Sequence, residues 1–387
     1  HLKRPEAAAE ALEKAVQLSP EDASLSFRLA QAYSVANEPK LALNAIKQAL
    51  KLDPKNLEYL RNQAILATWA GSYKTAVISY KQILSIAPAD NAAQLGLARV
   101  LSWMGELNES ARSYKKYVKN NPEDKAAVIE QARVEAWRGD YPSSLGILEN
   151  YRKKFGATDN YLQEKARVLA LAMRPREALS MTTALLKKDP DNYELNVSHT
   201  IALNNSFYLK ESLKSLDKVI RLEPDNPQTE ETKLYLKTPM RPSLTPEISY
   251  YTDTSDLSIY RGLIEGEFSL QAPTRLRAGF EVDILNARLG SGLEQINGKE
   301  NARHDHIWVG VNHRLVPPIG LYGYLGRARV EDGQEKIITY RIGSDFWVGD
   351  EIRLNLERSY DFFIVSPRTV GLWGSVAKDK LGIKREI

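Results

Sequence analysis

Three groups of residues have the type and spacing for recognition or chemistry. Trp69, Trp103 and Trp137 recur at one interval, and Arg99, Arg133 and Arg167 recur at the same interval. Flat aromatic faces alternating with guanidiniums offer stacking and forked hydrogen bonding to a sugar polymer or an extended peptide. The same tryptophans would also serve as packing between repeated units, because Trp is mostly buried. In the C-terminal third, charges alternate with apolar residues: Arg275, Arg277, Glu281 and Asp283 in one run, Arg341 and Asp345 in another, Arg353 and Glu357 in a third. Tyr322 and Tyr324 share a parity and either line the same polar wall or belong to an interface girdle. Both signs of charge are present, so the wall favours a hydrated neutral or weakly charged polymer. His304 and His306 would share one strand face, but a metal site needs three or four ligands and no others stand nearby in sequence. Carboxylate pairs such as Glu265 with Glu267 fit polar wall positions. No phosphate loop, nucleophile elbow or zinc-protease motif occurs. The expectation is a non-enzyme with no cofactor and no metal.

The elements that would carry the first group are repeats. Pro20, Pro54, Pro88, Pro122, Pro190 and Pro224 close successive segments at steps of 34 residues, with one double step centred on Gly156. That step is the tetratricopeptide (TPR) period. Ala30, Ala64, Ala98, Ala132 and Ala166 hold a small slot on each first helix. Ala42, Ala76, Ser110, Ser144, Ala178 and Ser212 hold one on each second helix, and four residues later a bulky slot follows, with Thr182 as its misfit. Gly71, Gly105 and Gly139 mark the turns between paired helices, and Met173 and Phe207 replace them in the last two repeats. Residues 23–226 thus read as six repeats whose first helices line a concave face. Pro5–Ser19 reads as the second helix of a further repeat, so the segment is expected to be cut from a longer protein, with any targeting signal upstream.

Composition adds limits. The chain of 387 residues is 43% hydrophobic and 26% charged, with net charge +4, which gives no push toward nucleic acid. It has no cysteine, which excludes disulfides and cysteine-based metal sites. No apolar stretch is long enough for a transmembrane helix.

After residue 246 the apolar period becomes two. Leu276, Ala278, Phe280, Val282 and Ile284 alternate with Arg275, Arg277, Gly279, Glu281 and Asp283, and residues 338–348 and 351–362 behave alike, with Arg358 as the exception on an apolar side. The spacing predicts strands at 247–252, 258–270, 275–285, 306–315, 319–330, 337–347, 351–361 and 369–376. Short and long connections alternate between them. A turn at 377–380 and a ninth strand from residue 381 would follow. The pattern fits an outer-membrane barrel larger than eight strands, and equally a soluble antiparallel sheet with one wet face.

The order of these parts, with Arg99-Val-Leu-Ser-Trp-Met-Gly, Arg133-Val-Glu-Ala-Trp-Arg-Gly139, Ser366-Pro-Arg-Thr-Val-Gly371 and Lys378-Asp-Lys-Leu-Gly382, resembles the bacterial exopolysaccharide exporters of the cellulose, poly-N-acetylglucosamine and Pel type. The resemblance implies an all-α TPR superhelix over residues 1–226, a capping helix and Pro-rich linker over 227–246, and an antiparallel transmembrane β-barrel over 247–387. It implies a pore for polysaccharide in the outer membrane, with the repeats in the periplasm contacting the polymer or proteins of the synthesis complex. The alternative is a TPR interaction scaffold anchored by, or fused to, a β-domain that transports nothing.

Overall fold

The computed structural model describes residues 5–254, 257–295, 297–330, 335–350, 352–362 and 375–385. The chain divides into two compact units, His1–Val168 and Leu169–Ile387. The first holds α1 (Pro5–Leu18), α2 (Ala23–Val35), α3 (Pro39–Leu52), α4 (Leu57–Trp69), α5 (Tyr73–Ile86), α6 (Asn91–Trp103), α7 (Leu107–Asn120), α8 (Lys125–Trp137), α9 (Tyr141–Phe155) and most of α10 (Asp159–Leu171). The second continues with α11 (Pro175–Leu186), α12 (Tyr193–Asn205), α13 (Leu209–Leu222) and α14 (Pro227–Lys237).

The small slots explain why the helices pair. Ala64, Ala98, Ala132 and Ala166 are wholly buried, as are Ala42, Ala76, Ser110, Ser144 and Ala178. At two of the three serine slots the hydroxyl donates to the facing alanine carbonyl, Ser110 to Ala98 at 2.8 Å and Ser144 to Ala132 at 2.7 Å, while Ser212 donates to Leu209 O on its own helix at 2.9 Å. A larger side chain at either slot would force the helices apart. Each first helix also starts on a capping side chain at the same interval. Asp22, Asn56, Asp90, Asp124, Asn192 and Asn226 accept backbone N–H groups of the first turn, and Thr158 does so for Tyr161 at 3.3 Å. These caps satisfy donors that the helix itself leaves open. Asp124→Ala should cost about 1–2 kcal/mol, because it removes both the acceptor for Ala127 N–H and the partner of the Tyr117 hydroxyl. Thermal unfolding of the full chain checks this.

Thr182, odd in a bulky slot, is fully buried and polar for a reason. Its hydroxyl donates to Ala178 O at 2.9 Å, and His199 Nδ1 lies 2.9 Å from Thr182 Oγ1 itself. Burial holds the His199 pKa below its ordinary value. In the window between that lowered value and the ordinary one near 6.5, the unfolded chain binds a proton and the folded chain does not, so stability falls as pH falls through it. His199→Gln should flatten this acid limb in denaturation curves taken across pH.

The second unit also holds an eight-stranded antiparallel meander: β1 (Ser243–Thr252), β2 (Ser258–Gln271), β3 (Thr274–Asn286), β4 (Asn301–Val316), β5 (Ile319–Val330), β6 (Glu335–Val348), β7 (Ile352–Phe362) and β8 (Ser375–Arg385). Each strand pairs with the next, and β1 and β8 do not pair with each other, so the sheet is open among the described residues. Connections at 272–273 and 317–318 are short, and those at 253–257 and 287–300 are longer. Of the expected loops at 331–336 and 362–368, residues 335–336 belong to β6 and residue 362 to β7, and the rest, with most of the expected strand 369–376, lie outside the described residues.

The end of the chain differs from the sequence reading. Residues 377–380 form no turn, and no ninth strand starts at 381, because β8 runs unbroken across both. Lys378, Asp379 and Lys380 look like a turn only because they are charged. In register, Lys378 and Lys380 stand opposite Ser359 and Glu357 on the polar face, while Asp379 stands opposite Arg358 on the other. The misplaced Arg358 thus has its counter-charge one strand away, at 3.8 Å.

Candidate functional site

The two faces of the sheet have opposite character, and the polar one is the sheltered one. Ile264, Phe280 and Ile307 form one cross-strand row, and Val309, Leu325 and Tyr340 lie in the next. Ile307, Val309 and Leu325 are about 60% exposed. The opposite face holds Arg275, Arg277, Glu281, Asp283, Arg341, Asp345, Arg353 and Glu357, so the eight charged residues singled out in the sequence do share a face. It also holds Tyr322, Tyr324 and Trp308.

Directly paired residues lie on the same side of an antiparallel sheet, so register sorts this face into rows. The row nearest the helices runs Arg314, Gly320, Asp345, Asn355. Next comes Arg275, Asn312, Tyr322, Gly343, Glu357, and then Glu267, Arg277, Gly310, Tyr324, Arg341. Beyond lie Glu265, Gly279, Trp308 and Gly326, then Arg261, Asp283 and His304 two rows further on.

The rings lie flat because glycines let them. Trp308 covers Gly279, Tyr324 covers Gly310 and Tyr322 covers Gly343, and a methyl group at any of these glycines would overlap its ring. The hydroxyls are then fixed. Tyr322 donates to Glu357 at 2.8 Å, and Tyr324 donates to Asn312 at 2.6 Å while accepting from Arg277 at 3.2 Å. Tyr322 and Tyr324 are 5.9 Å apart, and Trp308 meets Tyr324 edge-on at 5.2 Å. The three rings make one continuous aromatic strip.

Ion pairs brace the charges. Arg275 donates to Glu267 at 2.8 Å, Arg277 to Glu265, and Arg314 to Asp345 at 2.8 Å. Arg341 and Arg353 are held more loosely, with nearest carboxylates Glu357 at 3.8 Å and Asp345 at 4.0 Å.

The helical end of this face is covered from within the same unit. Met173 and Phe207, in the positions where earlier repeats carry glycine, have φ of 56° and 67°. A left-handed backbone costs a non-glycine residue about 1–2 kcal/mol. At Phe207 contacts offset it: the ring stacks 4.1 Å beneath the Arg314 guanidinium and lies 5.8 Å from Trp347. Asp350, in the β6–β7 turn, accepts the Arg176 N–H at 3.1 Å and so caps α11, whose own N-cap residue Arg174 offers nothing. Burial raises the Asp350 pKa. Between these contacts sits a cavity of about 660 Å³, lined by Met173 and Phe207 from the helices and by Tyr322, Tyr324, Arg277, Arg341 and Arg353 from the sheet.

The far end of the face is apolar. Leu257, Leu285 and Leu293 are completely buried, with Ile259, Ala302, Ala328 and Val330 around them. Leu293 comes from the 287–300 connection, which folds back onto the strand ends. Just short of this cluster, Glu281, Asp283 and His304 bring ligand atoms within 4.8 Å of one another. Sequence reasoning saw no partner for His304, because the carboxylates arrive by register from the neighbouring strand. Arg261 already supplies positive charge there, 2.8 Å from Asp283 and 3.3 Å from Glu281. His306 meets Thr339 at 2.8 Å.

In the first unit, Trp69, Trp103 and Trp137 are 65%, 53% and 45% exposed. Trp103 still reaches the preceding repeat, its ring 6.2 Å from that of Tyr73. The arginines tie neighbouring repeats directly: Arg99 grips Glu130 through two bonds of 2.9 and 2.8 Å, and Arg133 grips Glu164 at 3.0 and 2.7 Å, each one repeat on. Arg167 lies 3.9 Å from Glu164. Tyr114 joins the first clamp by donating to Glu130 at 3.0 Å, and its burial beside that carboxylate pushes its pKa up.

No curated protein matches the chain. Among solved structures, a tetratricopeptide repeat protein from Parabacteroides merdae superimposes with a TM-score of 0.50 at 18% identity, covering 61% of this chain and 93% of its own. PilW, a widely conserved type IV pilus biogenesis factor, gives a TM-score of 0.44 at 17% identity, covering 55% of this chain and 98% of its own. Residues 2–66 match the tetratricopeptide repeat family, and the all-α part of the chain is built from TPR repeats.

Proposed function

We propose that the sheet is part of the wall of an outer-membrane pore that passes a polysaccharide, and that the TPR repeats form its periplasmic arm. The observation that carries this reading is the inversion of the two faces: exposed Ile, Val, Leu and Phe on one, sheltered ion pairs and tyrosine hydroxyls on the other. A sheet folded against water on its outer side would turn these faces the other way. Along β4 the exposed apolar positions run from Ile307 to Leu315. That is about 27 Å of strand, which a tilt of about 40° reduces to about 20 Å, close to the ~25 Å apolar band of outer-membrane barrels. Arg303, Asp305 and Arg329 then form a charged cluster at the loop end of the same face, with both pairs at 2.8 Å. Lipid would meet the band, and the polymer would meet the tyrosine strip.

The repeats serve this pore in one of two ways. They dock protein partners of the synthesis complex, as stacked repeats with extended surfaces are suited to do. They also carry exposed tryptophans on which a polymer can stack. The test is conductance of the full chain in planar bilayers, with block by added polysaccharide. Trp103→Ala with Trp137→Ala should weaken polymer binding about thirtyfold or more, at about 1–3 kcal/mol per lost stacking face, while the helical circular dichroism and melting stay unchanged. A chain that is monodisperse without detergent and never conducts would defeat the pore and leave the scaffold reading.

A further inference from the structure

We propose that the cavity at the helical end of the polar face is a binding subsite for a carboxylate-bearing sugar unit, so that the polymer handled is acidic. The inference rests on the pore reading for its polymer and adds the chemical class. Three observations carry it. First, Arg176, Arg275, Arg277, Arg314, Arg341 and Arg353 line the cavity, against Asp345, Asp350 and Glu357 in the same lining and Glu265 and Glu267 paired to it from the polar face. Their charges do not cancel, whereas the band beyond them, with Arg261, Glu281 and Asp283, carries its own acid surplus. Second, Arg353 Nε and Trp347 Nε1 are buried beside the cavity with no hydrogen-bond partner. Both are donors, so a ligand that completes them must bring acceptor oxygens. A carboxylate offers two and adds the charge that Arg341 and Arg353 lack at close range. Third, the Tyr322–Tyr324 strip lies along the same cavity and gives the ring of that sugar a flat surface.

The inverse arrangement argues against a cationic polymer. An amino sugar would place its ammonium among guanidiniums. A neutral polymer would gain the stacking surface but would leave the surplus positive charge uncompensated.

The experiment uses the full chain in detergent and compares an oligogalacturonate, a neutral malto-oligosaccharide and a chitosan oligosaccharide of equal length by titration calorimetry. The acidic oligomer should bind tightest, and its affinity should fall as salt is raised. Arg341→Gln should weaken it about tenfold, the loss expected for one charge-assisted hydrogen bond, and leave the neutral oligomer unchanged. Arg341 is more than half exposed, so its replacement spares the fold, and Arg353→Gln provides a second, independent variant. Equal affinity for neutral and acidic oligomers, preference for the chitosan oligomer, or wild-type affinity in both variants would overturn the proposal. Bilayer conductance separates the two readings: a conducting chain with no acidic preference removes the subsite and keeps the pore, and acidic binding without conductance does the reverse.

Discussion

Val309→Arg is expected to abolish membrane assembly of the β-region while leaving the repeats folded. Val309 sits midway along β4, about 60% exposed, in a row with Leu325 and Tyr340. If that face meets lipid, an arginine there lies near the bilayer midplane and costs about 2–4 kcal/mol. Stability margins are of the order of 5–15 kcal/mol, so folded yield in vesicles should drop clearly. If the face meets water, an exposed Val→Arg change is worth less than about 0.5 kcal/mol, and it should improve solubility. The two readings therefore differ in sign as well as size. The measurement is folded fraction in lipid vesicles, read by protease protection, with Arg327→Ala as control because that residue is already a charge on the same face. Normal assembly of Val309→Arg would remove the argument drawn from the inverted faces.

How much of this was legible in the sequence depends on the range of the interaction. The repeat is local and periodic, so the alanines of the small slots could be placed by counting, and the structure buries them all. The capping residues obey the same interval, two positions after each proline, and could have been found by the same count. Asp22, Asn56 and Asp90 went unnoticed because capping residues vary in type while alanine does not. Thr182 looked like a defect because its compensation, His199, lies on the next helix.

The sheet was legible in parity and not in register. Alternation sorted Arg277, Asp283 and Arg341 onto one face correctly. It could not show which of them meet. The Tyr324–Arg277 bond joins residues two strands apart, and the Asp283–His304 approach depends on a pairing fixed by a connection of more than ten residues. The flat rings depend on Gly279, Gly310 and Gly343, which in sequence look like weak points in a strand. Structure turns them into seats for Trp308, Tyr324 and Tyr322. Phe207 is the clearest case of a local rule broken for a distant reason. Its left-handed backbone makes sense only once Arg314 and Trp347 close on its ring.

If the sheet is the pore wall proposed above, Leu293→Asp should open the pore. Among the described residues, the buried Leu293 is the large side chain, beside the small Ala287, by which the 287–300 connection enters the apolar cluster of Leu257, Leu285 and Val330. Other contacts of the connection are local, such as the Gly298 N–H to Glu294 O bond of 2.7 Å and the Ala287 N–H to Glu300 O bond of 2.8 Å. Removing a buried leucine side chain costs about 2–5 kcal/mol, and burying an aspartate in its place costs more. The strands do not share that cost, because their ladders are complete without the connection. The connection should therefore release while the sheet persists. In bilayers the expected result is a higher conductance and a longer open time than wild type, with unchanged heat-modifiable migration in gels. Leu293→Met, which keeps the volume and the apolar contact, should behave as wild type. Unchanged conductance in the aspartate variant would mean that the apolar end of the face does not obstruct passage, and the constriction would then have to lie at the cavity beneath Phe207.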